Sequence, residues 1–164
     1  MGNQYILNHS EIHQILKRMS LEIAENHVDG LPIILLGLND RGFYIAEELK
    51  KHLNEIDGIT IASMLQLVIS GDEIKSKPDW SKVEKNALII IVDDVLNSGR
   101  TAMMAVCECF NESIKKIETS FLAVREYRSF PVYANYTGLS VSTTLKDHVY
   151  FDNSDTNNLQ VYLS

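Results

Sequence analysis

Cysteine is almost absent from this 164-residue chain, which carries only Cys107 and Cys109. The two lie two positions apart in a predicted helix, point to different faces and do not make half of a zinc site. Two buried, reduced thiols are the expected state. Positive charge is also short: 15 Lys and Arg face 22 Asp and Glu, for a net charge of −7. No basic run offsets that field, which repels nucleic acid and anionic membrane. Long apolar runs are missing as well. The longest, Leu31–Leu38 and Ala87–Val92, are far too short to span a bilayer. The N-terminus has no basic-then-apolar signal pattern, and Met1-Gly2 is followed by Ile6 where myristoylation wants Ser or Thr. The expectation is a cytoplasmic protein with no membrane partner. No internal repeat or low-complexity tract stands out. With 45% hydrophobic residues, residues 1–164 have enough apolar material for one domain with its own core.

What is present reads as alternating helices and strands. Ile12, Ile15, Leu16, Met19 and Ile23 recur at helical spacing, which predicts an amphipathic helix over Ser10–Ala24. Asp29-Gly30 breaks it, and Pro32–Leu36 is a continuous apolar run of the kind buried on both faces of a parallel sheet. Gly37–Gly42 reads as a tight loop, Phe43–Leu53 as a helix and Ile59–Val68 as a strand. Ser70–Lys85 is polar with no apolar period and is expected to be a functional loop. A strand over Ala87–Val92, a helix over Thr101–Ser113 and a buried strand over Phe121–Val124 follow. The tail from Phe130 reads as short strands flanking or capping the sheet, with turns at Thr137-Gly138 and Asp152-Asn153. This alternation predicts an α/β fold with an open, mainly parallel sheet flanked by helices.

The chemistry concentrates in Val92–Thr101, at the carboxyl end of a predicted central strand, where such sheets bind ligands. Gly99 lets backbone approach a ligand, Ser98 and Thr101 offer hydroxyls, and the first turn of the next helix presents unpaired amides to an anion. That half suits a phosphate. Asp93 and Asp94 repel one, so they suit sugar hydroxyls or a hard cation such as Mg²⁺. Either half alone reads better as a cap or a turn; together, after a buried strand, they point to a phosphorylated sugar.

Ile90-Ile91-Val92-Asp93-Asp94-Val95-Leu96-Asn97-Ser98-Gly99-Arg100-Thr101 resembles the phosphoribosyl-pyrophosphate motif of the type I phosphoribosyltransferases. Over most of its length the chain is similar to the pyrimidine-operon attenuation regulators that double as uracil phosphoribosyltransferases. The resemblance implies the phosphoribosyltransferase fold with a small base-side hood, and transfer of ribose 5-phosphate from phosphoribosyl pyrophosphate to a nucleobase with Mg²⁺. It implies catalytic roles for Asp93, Asp94 and Arg41, with Asp93 and Asp94 on the metal, directly or through water. By the same resemblance the amides of Leu96, Asn97, Ser98, Gly99, Arg100 and Thr101 would bind the 5-phosphate, Leu36–Gly42 with the helix Phe43–Leu49 looks like the pyrophosphate loop, whose Asn39, Asp40, Arg41 and Gly42 would meet the ligand, and Ser70–Trp80 matches the mobile loop that closes the site. Arg125, Arg128, Pro131, Tyr136 and Gly138 resemble the base-side region. A homo-oligomer is implied too.

Three departures shape the expectations. The relatives' arginine leading into the mobile loop is missing from Leu67–Asp72, and Asp40 brings a carboxylate into the pyrophosphate loop. Enzymes acting on 6-oxopurines usually place an acid where this chain has Asn97, and an amide accepts no proton at neutral pH. Hypoxanthine and guanine are therefore disfavoured, and the resemblance implies uracil or another pyrimidine as the acceptor. The competing expectation is a regulatory module that binds phosphoribosyl pyrophosphate or a nucleotide with little or no turnover, while RNA binding is disfavoured by the acidic charge.

Overall fold

The computed structural model describes residues 4–142 and 147–164. Strand β1 (Gln4–Leu7) leads into helix α1 (His9–Asn26), whose Ile12, Leu16, Met19 and Ile23 are wholly buried along one face. A capping box starts the helix. Asn8 Oδ1 accepts the Glu11 N–H at 3.1 Å and Glu11 Oε2 accepts the Asn8 N–H at 2.9 Å, satisfying two donors the helix cannot. Such a cap contributes about 1 kcal/mol.

Strand β2 (Ile33–Leu38) is buried at every position, as its continuous apolar run requires. It passes straight into helix α2 (Asn39–Leu53), with no loop over Gly37–Gly42. Two local features make so abrupt a turn possible. Asn39 takes a φ of +52°, and Gly37 lets Phe43 fold back on the strand: a Cβ on Gly37 would lie 2.4 Å from the Phe43 Cα. Strand β3 (Ile61–Ser70) follows and pairs antiparallel with β4 (Glu73–Ser76), so part of the expected loop Ser70–Lys85 is a hairpin. Its turn uses Gly71 at φ +60°. β4 is a polar edge strand, mostly exposed, and so gave no apolar alternation to read. A short 3-10 turn, Trp80–Lys82, closes the segment with Trp80 buried.

Strand β5 (Leu88–Leu96) runs through Asp93 and Asp94 rather than stopping before them. Helix α3 (Arg100–Asn111), strand β6 (Lys116–Arg125) and strand β7 (Tyr136–Val141) complete the main sheet. Its order is β4-β3-β2-β5-β6-β7, parallel except for the edge strand β4. Thr137-Gly138 is therefore strand, not turn. The glycine is required because a Cβ there would sit 2.2 Å from the Leu122 carbonyl oxygen and 2.7 Å from Ile15 of α1, which crosses at that point. Strands β8 (Val149–Asp152) and β9 (Gln160–Leu163) join β1 in a separate antiparallel sheet of order β1-β9-β8. The tail strands match the expected capping unit; β1, too short to show a period, was not foreseen.

Core packing follows the alternation of the buried strands. Ile33, Leu35, Leu88 and Ile90 face α1, α2 and the inner side of the small sheet, which contributes Leu7, Val149, Phe151 and Val161. Ile34, Leu36, Ile89 and Ile91 face α3 and Trp80. Cys109 is buried on that second face, and burial pushes its thiol pKa up to about 12. Cys107 is exposed, because a two-residue step along a helix turns it to solvent, which corrects the expectation of two buried thiols.

Candidate active site

β2 has β3 on one side and β5 on the other, so the direction of winding reverses between β2 and β5 and a crevice opens beyond their carboxyl ends. Asn39–Gly42 enters it from β2, and Asp93–Thr101 from β5. Gly42 brings the two together. A Cβ on it would lie 2.6 Å from the Val92 carbonyl oxygen and 2.9 Å from Asp93 Oδ1, so only glycine lets the start of α2 rest on the end of β5. The resulting cleft, about 370 Å³, is lined by Asn39, Asp40, Arg41, Asp93, Asp94 and Thr101.

An adjoining cavity of about 140 Å³ is formed by Asp93, Val95 and residues Leu96 through Ala102. Gly99, at φ +84°, turns the chain into α3 and supplies no side-chain cap. Ser98 Oγ accepts the Arg100 N–H at 3.3 Å. The remaining first-turn amides are left for an anion, with the positive end of the helix behind them. Such a cavity offers the amide donors and positive field that suit an anion.

Asp93 and Asp94 are partly buried side by side, and Asp93 Oδ1 accepts the Asp94 N–H at 3.0 Å. Burial, followed by the neighbouring Asp94 charge, holds the Asp93 carboxyl well above the usual carboxylate range, and burial also raises that of Asp94. The Arg41 charge pulls both the other way; Asp152, at the end of β8, is held below the usual carboxylate range by the backbone and side-chain hydrogen bonds of Ser154, with Arg41 adding a smaller pull. A hard cation has oxygen donors here. Among the described residues no group of three or more His, Cys, Asp or Glu is spaced to hold a metal, so a cation on this pair needs further oxygens from a ligand or water. That pattern suits Mg²⁺, which keeps waters and shares carboxylates with phosphates.

Several of the other residues singled out in the sequence line the crevice while their side chains bond to neighbouring elements. Asn39 Oδ1 accepts the Ile69 N–H at 2.8 Å, and Asp40 Oδ1 accepts from Gln66 Nε2 at 3.0 Å, so both side chains fasten the start of α2 to β3. Arg41 is exposed at the cleft. Arg100 reaches away, pairing with Asp72 at the hairpin tip and lying 5.7 Å over the Phe130 ring. Asn97 turns its carboxamide to the backbone of Val149. Arg125 is buried at the end of β6, where its carbonyl accepts from Arg128 Nη1 at 3.0 Å. Tyr136 and Gly138 are in β7; Tyr136 is buried, with its hydroxyl donating to Glu118 at 2.8 Å, and is not available to stack on a base. Asp72, Gln66, Val149 and Asp152 carried no sequence signal, since each meets the site only through long-range folding.

The sequence profile of the phosphoribosyl transferase domain matches residues 2–151. The bifunctional protein PyrR of Macrococcus caseolyticus is 30% identical over 158 residues, covering 91% of each chain. PyrR of Haemophilus ducreyi is 30% identical over 154 residues, covering 88% of this chain and 86% of that one. Among solved structures, the hypoxanthine phosphoribosyltransferase of Trypanosoma cruzi superposes with a TM-score of 0.80 at 16% identity, covering 98% of this chain and 95% of that one. A hypoxanthine-guanine phosphoribosyltransferase of Bacillus anthracis gives 0.73 at 18% identity, covering 86% of both. At such identities the likeness is one of fold.

Proposed function

This chain belongs to the phosphoribosyl transferase domain family, and from that premise we propose that it transfers the ribose 5-phosphate of phosphoribosyl pyrophosphate to uracil or another pyrimidine, releasing pyrophosphate. The observation that carries the reading is the meeting, at one crevice, of the Asp93-Asp94 pair, the amide cradle of residues 96–102 and the Arg41 guanidinium. No single one of these specifies the ligand. Together they match a sugar bearing phosphate at one end and pyrophosphate at the other.

Each group has a role that follows from its charge. The first-turn amides of α3, with the hydroxyls of Ser98 and Thr101, hold the 5-phosphate and fix the sugar. Asp93 and Asp94 hold the ribose hydroxyls, and their negative charge favours the sugar as it turns cationic. Arg41 meets the pyrophosphate, whose charge grows as it leaves. A bound Mg²⁺, held by Asp93 and Asp94 directly or through water, would neutralise charge on the leaving group. A base nitrogen forms the new bond to C1 as the bond from C1 to the pyrophosphate oxygen breaks, and the nitrogen's proton passes to solvent. The carboxamide at position 97 is taken up by Val149, so the phosphate turn offers no acid or base to a purine, which supports a pyrimidine acceptor.

Calorimetry with Mg²⁺ and phosphoribosyl pyrophosphate tests the reading. The wild type is expected to bind, and the double variant Asp93→Asn/Asp94→Asn to lose about 100-fold or more, roughly 2.7 kcal/mol. Absence of wild-type binding would sink the proposal. A pyrophosphate-release screen over free bases then separates enzyme from sensor: release with uracil supports transfer, and binding without release from any base supports a regulatory site.

A further inference from the structure

β8 is an edge strand of the small sheet, and its free side faces the phosphate turn. His148, just before it, faces inward, exchanging both backbone hydrogen bonds with Ser164 at 3.0 and 3.1 Å. In an antiparallel ladder the next residue turns its N–H and C=O the other way. Val149, only 1% exposed, therefore presents a donor and an acceptor into protein rather than water. The Asn97 carboxamide meets both. Its Nδ2 donates to the Val149 carbonyl at 3.1 Å, and its Oδ1 accepts the Val149 N–H at 3.3 Å. A carboxamide carries one donor group and one acceptor side by side, whereas a carboxylate has no donor. On its other flank the same turn is stitched down, since the Ser98 carbonyl accepts from Ser129 and Phe130 N–H at 3.1 and 3.0 Å.

We infer that Asn97 is a positioning residue: its carboxamide locks strand β8 onto the phosphate turn and thereby sets where the small sheet stands over the base end of the cleft. The inference rests on the phosphoribosyltransferase reading for what the cleft holds. A ligand confined to the sugar and phosphates meets the turn, which the Ser129 and Phe130 amides also hold from its other flank. A nucleotide spans from the turn to the small sheet, so its affinity depends on the distance the lock fixes. The sheet has other anchors on α1 and α2, where Phe151 packs against Tyr44 and His9 Nδ1 accepts the Leu159 N–H at 3.3 Å. Losing the lock therefore loosens the start of β8 at Val149 without unfolding the chain, since β8 keeps its pairing with β9.

The test compares wild type, Asn97→Ala and Asn97→Asp by calorimetry. The probes are phosphoribosyl pyrophosphate with Mg²⁺, and the 5′-monophosphates of uridine, cytidine and inosine; amide exchange is read at Val149 alongside. The nucleotide that wild type binds best is expected to weaken about tenfold or more in both variants, and by at least about fivefold more than phosphoribosyl pyrophosphate does. Exchange at Val149 accelerates in Asn97→Ala and stays slow in Asn97→Asp, whose carboxylate still accepts that N–H. Equal losses for both ligand types would overturn the inference, as would unchanged nucleotide affinity. Tighter inosine monophosphate binding by Asn97→Asp would also overturn it, by putting the side chain against the base. If wild type binds none of the probes, the functional reading fails, and the Val149 exchange still decides whether the lock exists.

Discussion

Asp93 and Asp94 carry the cost of the site in their own ionisation. Burial and mutual repulsion raise the Asp93 carboxyl above its unfolded value, so the ligand-free fold prefers it protonated. A carboxyl shifted upward destabilises the fold above its folded pKa, and the penalty fades as pH falls toward the unfolded value. Asp93→Asn is therefore expected to stabilise the ligand-free protein at pH 7 by about 1 kcal/mol, or about 2–4 °C in melting temperature. At pH 4 the gain shrinks, because the wild-type carboxyl is then largely neutral as well. Thermal unfolding of the two proteins at both pH values measures this. An equal or larger gain at pH 4 would mean that repulsion is not what the substitution relieves. Stability and ligand binding are thus opposed at one residue.

At the scale of elements, the β3–β4 hairpin forms one edge of the main sheet, with β4 paired to β3. Its tip is tied down by the ion pair between Asp72 and Arg100, whose side chains are 70% and 50% exposed. An exposed pair of this kind contributes at most about 1 kcal/mol, and often less. Asp72→Ala is expected to leave the melting temperature nearly unchanged while accelerating amide exchange across residues 70–76, which hydrogen-exchange mass spectrometry reads directly. Unaltered exchange would show that the edge pairing of β4 alone holds the hairpin. The same element was the part of the fold least legible in sequence. Ser70–Lys85 was recognisable as polar and set apart, but an exposed edge strand has no face to bury and leaves no periodic trace. The α2 start shows the opposite case: Gly37 and Gly42 looked like loop residues and are instead points of close packing, where absence of a side chain brings Phe43 and Asp93 within reach.

Across the whole molecule, the net charge of −7 is not a reservoir of acid on one side and base on the other. Among the described residues, Arg18, Lys51, Lys75, Lys77, Lys82, Lys85, Arg100 and Lys116 pair with carboxylates. Such pairing neutralises each cation where it stands and works against a continuous positive surface of the kind that releases counterions from a phosphate backbone. Filter binding with a hairpin RNA at 0.15 M salt is accordingly expected to give a dissociation constant weaker than about 1 μM. Tighter binding that falls steeply with added salt would show that folding assembles a continuous basic surface.

The sequence by itself determined the alternation of helix and strand, the buried central strands and the ligand end of β5. These are local matters: apolar periodicity decides which faces are hidden, and the order Asp-Asp then Ser-Gly-Arg-Thr is written within one strand, turn and helix. Tertiary structure alone decided which partners the side chains around that crevice take. Asn39, Asp40, Arg100 and Asn97 line it, and their side chains bond to Ile69, Gln66, Asp72 and Val149. Those partners lie up to 52 positions away in the chain, and no local pattern encodes a hydrogen bond that forms only when separate elements dock.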